Sequence, residues 1–463
     1  MLSRSIIEDV LTAALSTGGD FAEIFVEDKL NTGLLLVGGK VESGISGRDY
    51  GVGIRIFYGL NSIYAYTNDS TRENLIKVAK EAAQAVKGSS IHQVLDFTKA
   101  DINDIHPIKL LPSSIEKSEK VELMKKAYNA AKNYDEVITQ VTVRYLDNEQ
   151  NVLIANSEGL YVEDRRVRTR TAITAVASAN GEMQSGFYGP GAHMGFEFYD
   201  KINIEDYARE AARIAKTMVF ADLCPSGKMP VVIDNEFGGV IFHEACGHGL
   251  EAASVAKGTS VFAGKLGEMV ASEVVTAIDD GTIPNAWGSQ NIDDEGTKTK
   301  KNILIENGIL KGYMIDKLNA RKMGMEPTGS GRRESYKFAP TSRMTNTYIA
   351  NGTSTKEEII ANTEYGLYAK HMGGGSVNPA TGDFNFAVSE GYIIRNGKIA
   401  EPVRGATLIG TGLEVLKQID MVGNNLDFGQ GMCGASSGSI PTNVGQPTIR
   451  VKSITVGGRK GGQ

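Results

Sequence analysis

Helical and strand-like spacings of apolar residues alternate along the first half of the chain. Apolar side chains recur at helical intervals over residues 3–15, and a further helix is predicted to begin at residues 68–71 and to run to residue 86. Alternation of apolar and polar residues predicts strands over residues 21–26, 33–37, 51–58, 62–66 and, as longer runs, 138–178. This part of the chain is therefore predicted to have mixed α/β structure.

The pattern changes after a helix predicted over residues 204–219. Residues 221–230 contain Pro225, Gly227 and Pro230, and we predict the domain boundary in this loop. Beyond it, short apolar runs predict strands over residues 301–309, 345–349, 386–395, 407–409 and 449–456. The predicted fold class is therefore α+β, with a mixed α/β N-terminal domain over residues 1–222 and a β-rich C-terminal domain over residues 223–463.

Charge and composition narrow the function. The chain has 49 Lys and Arg residues against 55 Asp and Glu residues, so its formal net charge of −6 argues against nucleic acid as the main partner. Glu8 and Asp9 interrupt the apolar start of the chain, and no run reaches the roughly 18 apolar residues of a membrane span. Cys224, Cys246 and Cys433 are an odd number of cysteines at unrelated spacings, which indicates reduced thiols. We expect a cytoplasmic protein that does not bind a membrane.

Two of the six histidines flank a glutamate on an apolar segment. Residues 231–248 begin as a strand and continue as a helix of the C-terminal domain, whose last turn carries His243, Glu244 and His248. Neutral imidazoles bind zinc and similar transition metals, and an adjacent carboxylate can take a proton from water activated by the metal. This is the chemistry of the H-E-x-x-H motif of zinc peptidases.

The spacing of the two histidines departs from that motif by one residue. An ideal helix separates positions i and i+5 by about 140°. We therefore predict a distorted backbone between Glu244 and Gly249, either a π-bulge or a helix that ends at Gly247. The third metal ligand is left open by chemistry alone, because the thiols of Cys246 and Cys433 and many carboxylates are candidates. A thiol inside a helix, such as Cys246, more often packs in a core.

Six motifs follow one another through the C-terminal half of the chain. They are HEACGHGLE at residues 243–251, RMTNTY at 343–348, GGSVNPATGDF at 374–384, GYIIRNGK at 391–398, CG at 433–434 and ITVGG at 454–458. Together they resemble the TldD/PmbA family of metallopeptidases, and specifically its TldD branch. The N-terminal half resembles this family in general character only.

The resemblance implies a metal site and an activity. In that family, H-E-x-x-x-H supplies two metal ligands and a cysteine near the C-terminus supplies the third, which correspond to His243, His248 and Cys433. Glu244 is then the expected general base, and the expected cofactor is zinc, or another divalent transition metal, with one ion per chain. The resemblance also implies unfolded or extended peptides as substrates. It implies a dimer that encloses a cavity, either a homodimer or a heterodimer with a PmbA/TldE-like subunit that lacks the metal motif.

A glycine run is the predicted place of substrate binding. Residues 372–379 lack the Gly-Lys-Ser/Thr ending of a phosphate loop, whereas a glycine-lined edge admits an extended peptide as an added strand. A turn without a ligand is the alternative interpretation. We predict substrate contacts at Gly373, Gly374, Gly375, Arg343 and His371.

Other polar residues receive simpler interpretations. Ser436 matches G-x-S-x-G, but no histidine follows it in the chain, which argues against a serine hydrolase. We expect His92, His106, His193 and His371 to be ordinary hydrogen-bonded residues rather than metal ligands, although His371 lies beside the glycine run and is also a predicted substrate contact.

Three arginines of one predicted strand, Arg166, Arg168 and Arg170, alternate with Val167 and Thr169. They therefore lie on one face of the strand, which we expect to be solvated rather than to bind an anion or a partner.

A second function from a different class is a metal-stabilised scaffold subunit, which shapes a peptide chamber while a homologous partner cleaves. Glu244 separates the two hypotheses, because a structural metal site needs no carboxylate beside its first ligand and favours closed coordination. The sequence therefore favours the enzyme.

Overall fold

One large sheet forms the frame of the N-terminal half. In the computed structural model, the described part of the chain comprises residues 1–88, 93–378 and 381–458. The strands of this sheet are β1 (Phe21–Val37), β2 (Lys40–Tyr58), β3 (Asn61–Thr67), β4 (Thr98–Lys99), β5 (Ile138–Asn156), β6 (Leu160–Ala179), β7 (Glu182–Tyr188) and β8 (Gly191–Ala192). They lie in the order β3-β2-β1-β5-β6-β4, and β7 and β8 also pair with β6.

Helices pack on this sheet in two groups. Their bounds are α1 (Arg4–Ala14), α2 (Arg72–Ala83), α3 (Lys117–Lys132) and α4 (Ile204–Val219). Helices α1 and α2 bury Val10 and Leu75 against Ile54, whereas α3 and α4 bury Met124 and Ala208 in a separate core. The helices predicted over residues 3–15 and 204–219 are confirmed by α1 and α4.

The C-terminal half is rich in strands. They are β9 (Asp222–Leu223), β10 (Gly227–Ile233), β11 (Ala277–Asp280), β12 (Lys301–Glu306), β13 (Ile309–Leu310), β14 (Gly331–Arg332), β15 (Thr341–Ser342), β16 (Asn346–Ile349), β17 (Tyr365–Val377), β18 (Asp383–Arg395), β19 (Lys398–Arg404), β20 (Thr407–Thr411), β21 (Ile419–Val422), β22 (Asp427–Ala435), β23 (Gly438–Gln446) and β24 (Ile449–Gly457). The larger sheet has the order β17-β10-β24-β20-β18-β19-β9, with β21 paired to β24. The second sheet has the order β13-β12-β11-β16-β23-β22, and β14 pairs with β15. The predicted α+β class is confirmed.

Short helices occupy the space around these two sheets. They are α5 (Val240–Ala245), α6 (Ala252–Val255), α7 (Lys317–Met323), α8 (Lys356–Ala361) and α9 (Gly412–Gln418). Helix α5 lies between the sheets, in contact with β17 and β18 of one and with β16 and β23 of the other. Its Ile241 and Phe242 share a buried core with Val231, Ile349 and Leu367. Among the described residues, no helix has both the length and the hydrophobicity of a membrane span.

The C-terminal half covers the arginine face of β6. Arg166 and Arg168 are only 1% and 3% exposed, so the prediction of a solvated face is wrong for both of them. The guanidinium of Arg166 pairs with Asp164 and Asp294, and that of Arg168 donates one hydrogen bond each to the backbone carbonyls of Trp287 and Ser289. Periodicity places these arginines on one face, but it does not show that a second sheet lies over that face.

His106 and His193 form hydrogen bonds with the backbone. Nδ1 of His106 accepts a hydrogen bond from the backbone N–H of Asn285, and Nδ1 of His193 lies 3.0 Å from the carbonyl oxygen of Ser289. The prediction of ordinary hydrogen-bonded residues is confirmed for these two. His92 lies outside the described residues.

Candidate metal centre

The two histidines of the HEACGH segment lie on different helical elements. His243 is in the last turn of α5, which ends at Ala245, and His248 is in the 3₁₀ turn Gly247–Leu250. Between them, Cys246 leaves helical geometry with φ −127° and ψ −46°. The predicted distortion is confirmed, in the form of a helix that ends. Because the helix does not continue, both imidazoles reach the same space, with ring centroids 5.3 Å apart.

Close packing explains why a glycine follows the kink. A Cβ atom at Gly247 would collide with Sδ of Met344. The turn that carries His248 therefore approaches Met344 more closely than any side chain allows.

The third group reaches the site from far along the chain. Cys433 lies on β22 of the β22–β23 hairpin, and its Sγ atom is 3.3 Å from Nε2 of His243 and 3.4 Å from Nε2 of His248. These three atoms all lie within 4.8 Å of one another. The structure thus brings together the three residues that the sequence predicts as metal ligands.

The electrostatics of the site favour a cation. Burial alone would raise the pKa of the Cys433 thiol, but the adjacent imidazoles of His243 and His248 outweigh it and lower that pKa to about 4. Burial lowers the pKa of His248, yet the carboxylate of Glu251 and the sulfur of Cys433 raise it well above its usual range. Cys433 is therefore a thiolate near neutral pH, which is the form that binds metal ions.

The donor set and its spacing fit zinc. Tetrahedral zinc with bonds of about 2.05 Å to nitrogen and about 2.3 Å to sulfur separates the two ligand atoms by about 3.5 Å. The two nitrogen–sulfur distances of 3.3 and 3.4 Å agree with that separation. Three protein ligands leave one coordination position open, which is typical of catalytic rather than structural sites.

Glu251 orients one of the imidazoles. Its Oε2 atom lies 3.1 Å from Nδ1 of His248, so the ring donates this N–H and turns Nε2, the atom available to a metal, to the side of Cys433. Sequence reasoning missed this role. The signal was present, because Glu251 lies three residues after His248 in the same motif, within reach of the ring.

Arg343 contacts both the β22–β23 hairpin that carries Cys433 and the carboxylate of Glu251. Its fully buried guanidinium donates hydrogen bonds from Nη2 to the carbonyl oxygen of Cys433 at 2.5 Å and from Nη1 to Oγ of Ser437 at 2.9 Å. Its Nε atom lies 3.9 Å from Oε1 of Glu251. The structure therefore gives Arg343 the geometry of a positioning residue, with no surface open to a peptide.

Glu244 faces an open cavity beside the ligands. Its side chain is 31% exposed, and its Oε2 atom is 3.6 Å from Nε2 of His248. The cavity has a volume of about 420 Å³, and the residues that line it include Glu244, His248, Glu251, Ser342, Val377 and Ser436. A carboxylate in this position can accept a proton from a molecule bound in the cavity.

The predicted glycine contacts lie on a strand that leads to this cavity. Gly373, Gly374 and Gly375 are on β17, close to Val377, which lines the cavity. Strand β17 pairs with β10 only over Leu367–Ala369, whereas its pairing with β18 continues to Val377, interrupted by a register shift at Gly373 and Gly374. Within the described chain, the glycine segment therefore has a strand partner on one side only.

His371 belongs to a separate cluster. Its Nε2 atom lies 3.5 Å from Oε2 of Glu390 and 3.7 Å from Oε1 of Glu210. Although these three groups could hold a cation, Arg213 and Lys370 already pair with both carboxylates. The substrate contact predicted for His371 stays a prediction, because this cluster is apart from the residues that line the metal-site cavity.

Cys246 packs in the core. It is buried with Phe242 and Leu250, and burial raises the pKa of its thiol. The packing interpretation therefore accounts for this residue.

Three family models match the chain along most of its length. Residues 226–458 match the PmbA/TldA metallopeptidase C-terminal domain, residues 110–219 the central domain and residues 22–86 domain 1. The division predicted between residues 222 and 223 stays a prediction.

Curated relatives match over nearly the full chain. A metalloprotease TldD homolog from Buchnera aphidicola is 37% identical, covering 98% of this chain and 95% of the relative. One from Haemophilus influenzae is 39% identical, covering 95% and 93%. A zinc metalloprotease TldD homolog from Saccharolobus solfataricus is 27% identical, covering 89% and 91%.

The fold matches solved structures as well. A candidate modulator of a DNA gyrase from Thermotoga maritima superposes with a TM-score of 0.80 at 24% identity, covering 94% of this chain and 96% of that one. At this level of identity, the likeness concerns the fold.

Proposed function

We propose that this chain, which belongs to the PmbA/TldD family of metallopeptidases, hydrolyses unfolded or extended peptides at a zinc site formed by His243, His248 and Cys433. The observation that carries the proposal is the convergence of these three ligand atoms beside an open cavity that Glu244 faces. A buried structural metal site would need neither the cavity nor the carboxylate.

Zinc is the metal that the donor set favours. Two imidazoles and one thiolate form a borderline-soft set that suits zinc better than magnesium or calcium. A relative named a zinc metalloprotease supports the same choice. When bound, zinc polarises the carbonyl of the scissile bond and lowers the pKa of a water molecule to about 7.

Glu244 acts as the general base and later as the general acid. One of its Oε atoms accepts the proton of the attacking water and afterwards donates it to the nitrogen of the leaving amine. Partial exposure keeps this carboxylate in contact with the cavity. The contact between His248 and Glu251 fixes the orientation of the imidazole beside it. Burial of His243 and Cys433 excludes bulk water from the other side of the ligands.

The substrate binds as an extended strand. The edge of β17 that is not paired with β18 offers backbone groups to a peptide, and a peptide there lies next to Val377 and the cavity. Backbone pairing tolerates many side chains, which suits a peptidase for unfolded chains. A cavity of about 420 Å³ accommodates an extended segment but no folded domain.

Assembly and location are proposed from the family. We propose a dimer, either of identical chains or with a PmbA/TldE-like subunit, in the cytoplasm. Light scattering measures the mass of the purified chain, first alone and then mixed with such a subunit. A dimer of the chain alone indicates the homodimer, whereas a dimer that forms only in the mixture indicates the heterodimer.

The first experiment measures zinc content and peptide hydrolysis together. The wild-type chain, Glu244→Gln and a control variant, Glu273→Gln, which replaces an exposed glutamate outside the cavity, are compared on an unstructured peptide. We expect all three to bind one zinc ion per chain, and Glu244→Gln to lose at least about 100-fold in kcat, the usual contribution of a general base.

Two outcomes contradict parts of the proposal. If all three proteins bind zinc and none cleaves the peptide, even after a PmbA/TldE-like subunit is added, the chain is a metal-stabilised scaffold. If the wild type binds no zinc, the assignment of His243, His248 and Cys433 as ligands is wrong.

A further inference from the structure

A second cavity lies behind the hairpin that carries Cys433. It has a volume of about 420 Å³ and is enclosed between the arginine face of β6 and the C-terminal half. Met432, Ser439, Ile440 and Pro441 of the β22–β23 hairpin form one wall. Since successive side chains of a strand point to opposite faces, Met432 faces this cavity while Cys433 faces the metal centre. The two cavities are therefore separate sites.

Three guanidinium groups of this cavity have no carboxylate partner. Arg168, Arg170 and Arg332 line it, and no carboxylate oxygen in the described part of the chain forms an ion pair with any of them. Their neighbours differ in this respect, because Arg166 pairs with Asp164 and Asp294, and Arg333 pairs with Glu23. Among the arginines that line this cavity, the lack of pairing is thus confined to these three.

Backbone carbonyl groups accept hydrogen bonds from only some of the N–H groups of Arg168 and Arg170. Arg168 donates from Nε and Nη2 to the carbonyl oxygens of Trp287 and Ser289, both at 2.9 Å. Arg170 donates from Nε and Nη2 to those of Gly189 and Gln430, at 3.0 and 2.9 Å. The Nη1 groups of both arginines have no acceptor among the described residues, so two N–H₂ groups remain to bind a ligand.

Burial of these charges, which Asp164, Asp279 and Asp294 offset only in part, makes the site favourable for an anion. Burial, together with the like charges of Arg332 and Arg166, lowers the pKa of Arg168 to about 9, and burial lowers the pKa of Arg332 to about 10. Charges removed from water are costly unless they are paired. An anionic ligand in the cavity supplies the missing pairing through charge-assisted hydrogen bonds.

Three exposed apolar side chains lie at the mouth of the same cavity, beside the exposed polar residues Asn31, Glu334 and Ser439. Ile45, Leu146 and Met432 all line it, and they are 73%, 50% and 52% exposed. Exposed apolar side chains grouped around a charged floor are typical of a ligand site. A ligand that satisfies both parts carries an anionic group next to an apolar group.

We propose that this cavity binds the carboxylate of a peptide through Arg168, Arg170 and Arg332, while an adjacent apolar side chain packs against Ile45, Leu146 and Met432. Guanidinium groups match the planar carboxylate with paired hydrogen bonds. The carboxylate comes from either the C-terminus of a peptide or the side chain of an internal Asp or Glu. This binding does not depend on hydrolysis at the metal centre.

Trp287 gives a direct readout. It is the single tryptophan of the chain, it lines the cavity, and the guanidinium of Arg170 lies 5.5 Å from its ring centroid. The full-length protein is titrated with N-acetyl-leucine and with its amide, which lacks only the charge, and Trp287 fluorescence is followed. We expect saturable binding of the acid and at least about tenfold weaker binding of the amide, as expected for a lost charge-assisted contact.

A third probe separates the two sources of the carboxylate. N-acetyl-glutamyl-leucinamide carries a side-chain carboxylate and an uncharged C-terminus. If it binds as tightly as N-acetyl-leucine, the site accepts internal acidic residues, and if only N-acetyl-leucine binds, the site is specific for C-termini.

Variants test the arginines. Arg170→Gln should weaken binding of N-acetyl-leucine at least about tenfold, whereas Arg165→Gln, which changes an exposed arginine on the opposite face of β6, should leave it unchanged. Calorimetry checks the affinity of Arg170→Gln, since this change also alters the surroundings of Trp287. Leu146→Glu, at the mouth, places a competing carboxylate near the arginines and should also weaken binding.

Three results would overturn the proposal. They are equal affinity for acid and amide, unchanged affinity in both Arg170→Gln and Leu146→Glu, and no saturation of the wild type up to about 10 mM ligand, a concentration that corresponds to negligible affinity.

Discussion

The Sγ atom of Cys433 lies 3.4 Å from Nε2 of His248, although the two residues are 185 positions apart in the chain. Two structural features produce this contact. A helix that stops at Ala245 turns His248 back towards His243, and the β22–β23 hairpin brings the thiolate to them. The buried Arg343 holds the hairpin by its hydrogen bond to the carbonyl oxygen of Cys433.

Loss of the thiolate should remove the metal and leave the fold. Cys433→Ser should lower zinc affinity at least about 100-fold, because a serine hydroxyl is a poor ligand at neutral pH. Competition with a coloured chelator measures the affinity, and Cys246→Ala is the control, since Cys246 packs in the core. Equal zinc affinity of Cys433→Ser and the wild type would contradict the assignment.

The partner of His248 should also affect the metal. Glu251→Gln removes the charge beside Nδ1 of His248 and should weaken zinc binding about 10- to 100-fold, the usual effect of such outer partners. The same competition assay gives the number. A Glu251→Gln variant with wild-type zinc affinity would show that Arg343 and packing alone orient the ring.

The glycine edge of β17 should affect substrate binding more than turnover. A Cβ at Gly374 meets no atom within 4 Å, so Gly374→Val should fold normally while it obstructs a peptide on that edge. We expect KM to rise about tenfold with kcat nearly unchanged. Gly47→Val, at an equally open position on β2, is the control. An unchanged KM in Gly374→Val would place the peptide elsewhere.

Acid should destabilise the protein through two stacked histidines. Burial is the larger cause and the positive charge of Arg168 the second, and together they lower the pKa of His106 to about 4. The same two causes lower the pKa of His193, whose ring stacks on that of His106. The unfolded chain therefore binds more protons than the folded chain between about pH 6.5 and pH 4, so stability falls as the pH falls through this window.

His106→Asn should reduce that loss, because asparagine does not titrate and its Oδ1 can accept the hydrogen bond from Asn285. For one histidine, the loss amounts to about 3 kcal/mol over the window. Urea unfolding at about pH 7 and about pH 5, in the presence of a chelator that removes the metal, measures the part of it that falls between these two values, about 2 kcal/mol. The same pH dependence in both proteins would contradict the role of His106.

Local chemistry made the metal site predictable. The pattern H-E-x-x-x-H, an apolar helix and the angle between positions i and i+5 were sufficient to predict a broken helix between His243 and His248. The choice of Cys433 as third ligand came from family resemblance, because nothing in the spacing relates a hairpin to a helix so far away in sequence.

Long-range packing was not predictable from the pattern. Two short strands predicted over residues 21–26 and 33–37 are one strand, Phe21–Val37, because pairing with β2 and β5 on both sides continues through the polar residues between them. Arg166 and Arg168 look like surface residues by sequence, and only the C-terminal half that covers β6 makes them buried. Such cases depend on which surfaces meet, which periodicity within one strand does not encode.

The position of Cys433 also sets the order of events during synthesis. His243 and His248 are made 185 residues or more before Cys433, so the nascent chain carries an incomplete ligand set for most of the synthesis of its second half. Strand β24 (Ile449–Gly457) lies between β10 and β20 of the larger sheet, so this sheet also forms completely only after β24 has been made. If the chain works as proposed, an unfinished copy therefore lacks the complete set of three ligand atoms, and the proposed active site forms only after the β22–β23 hairpin has been made.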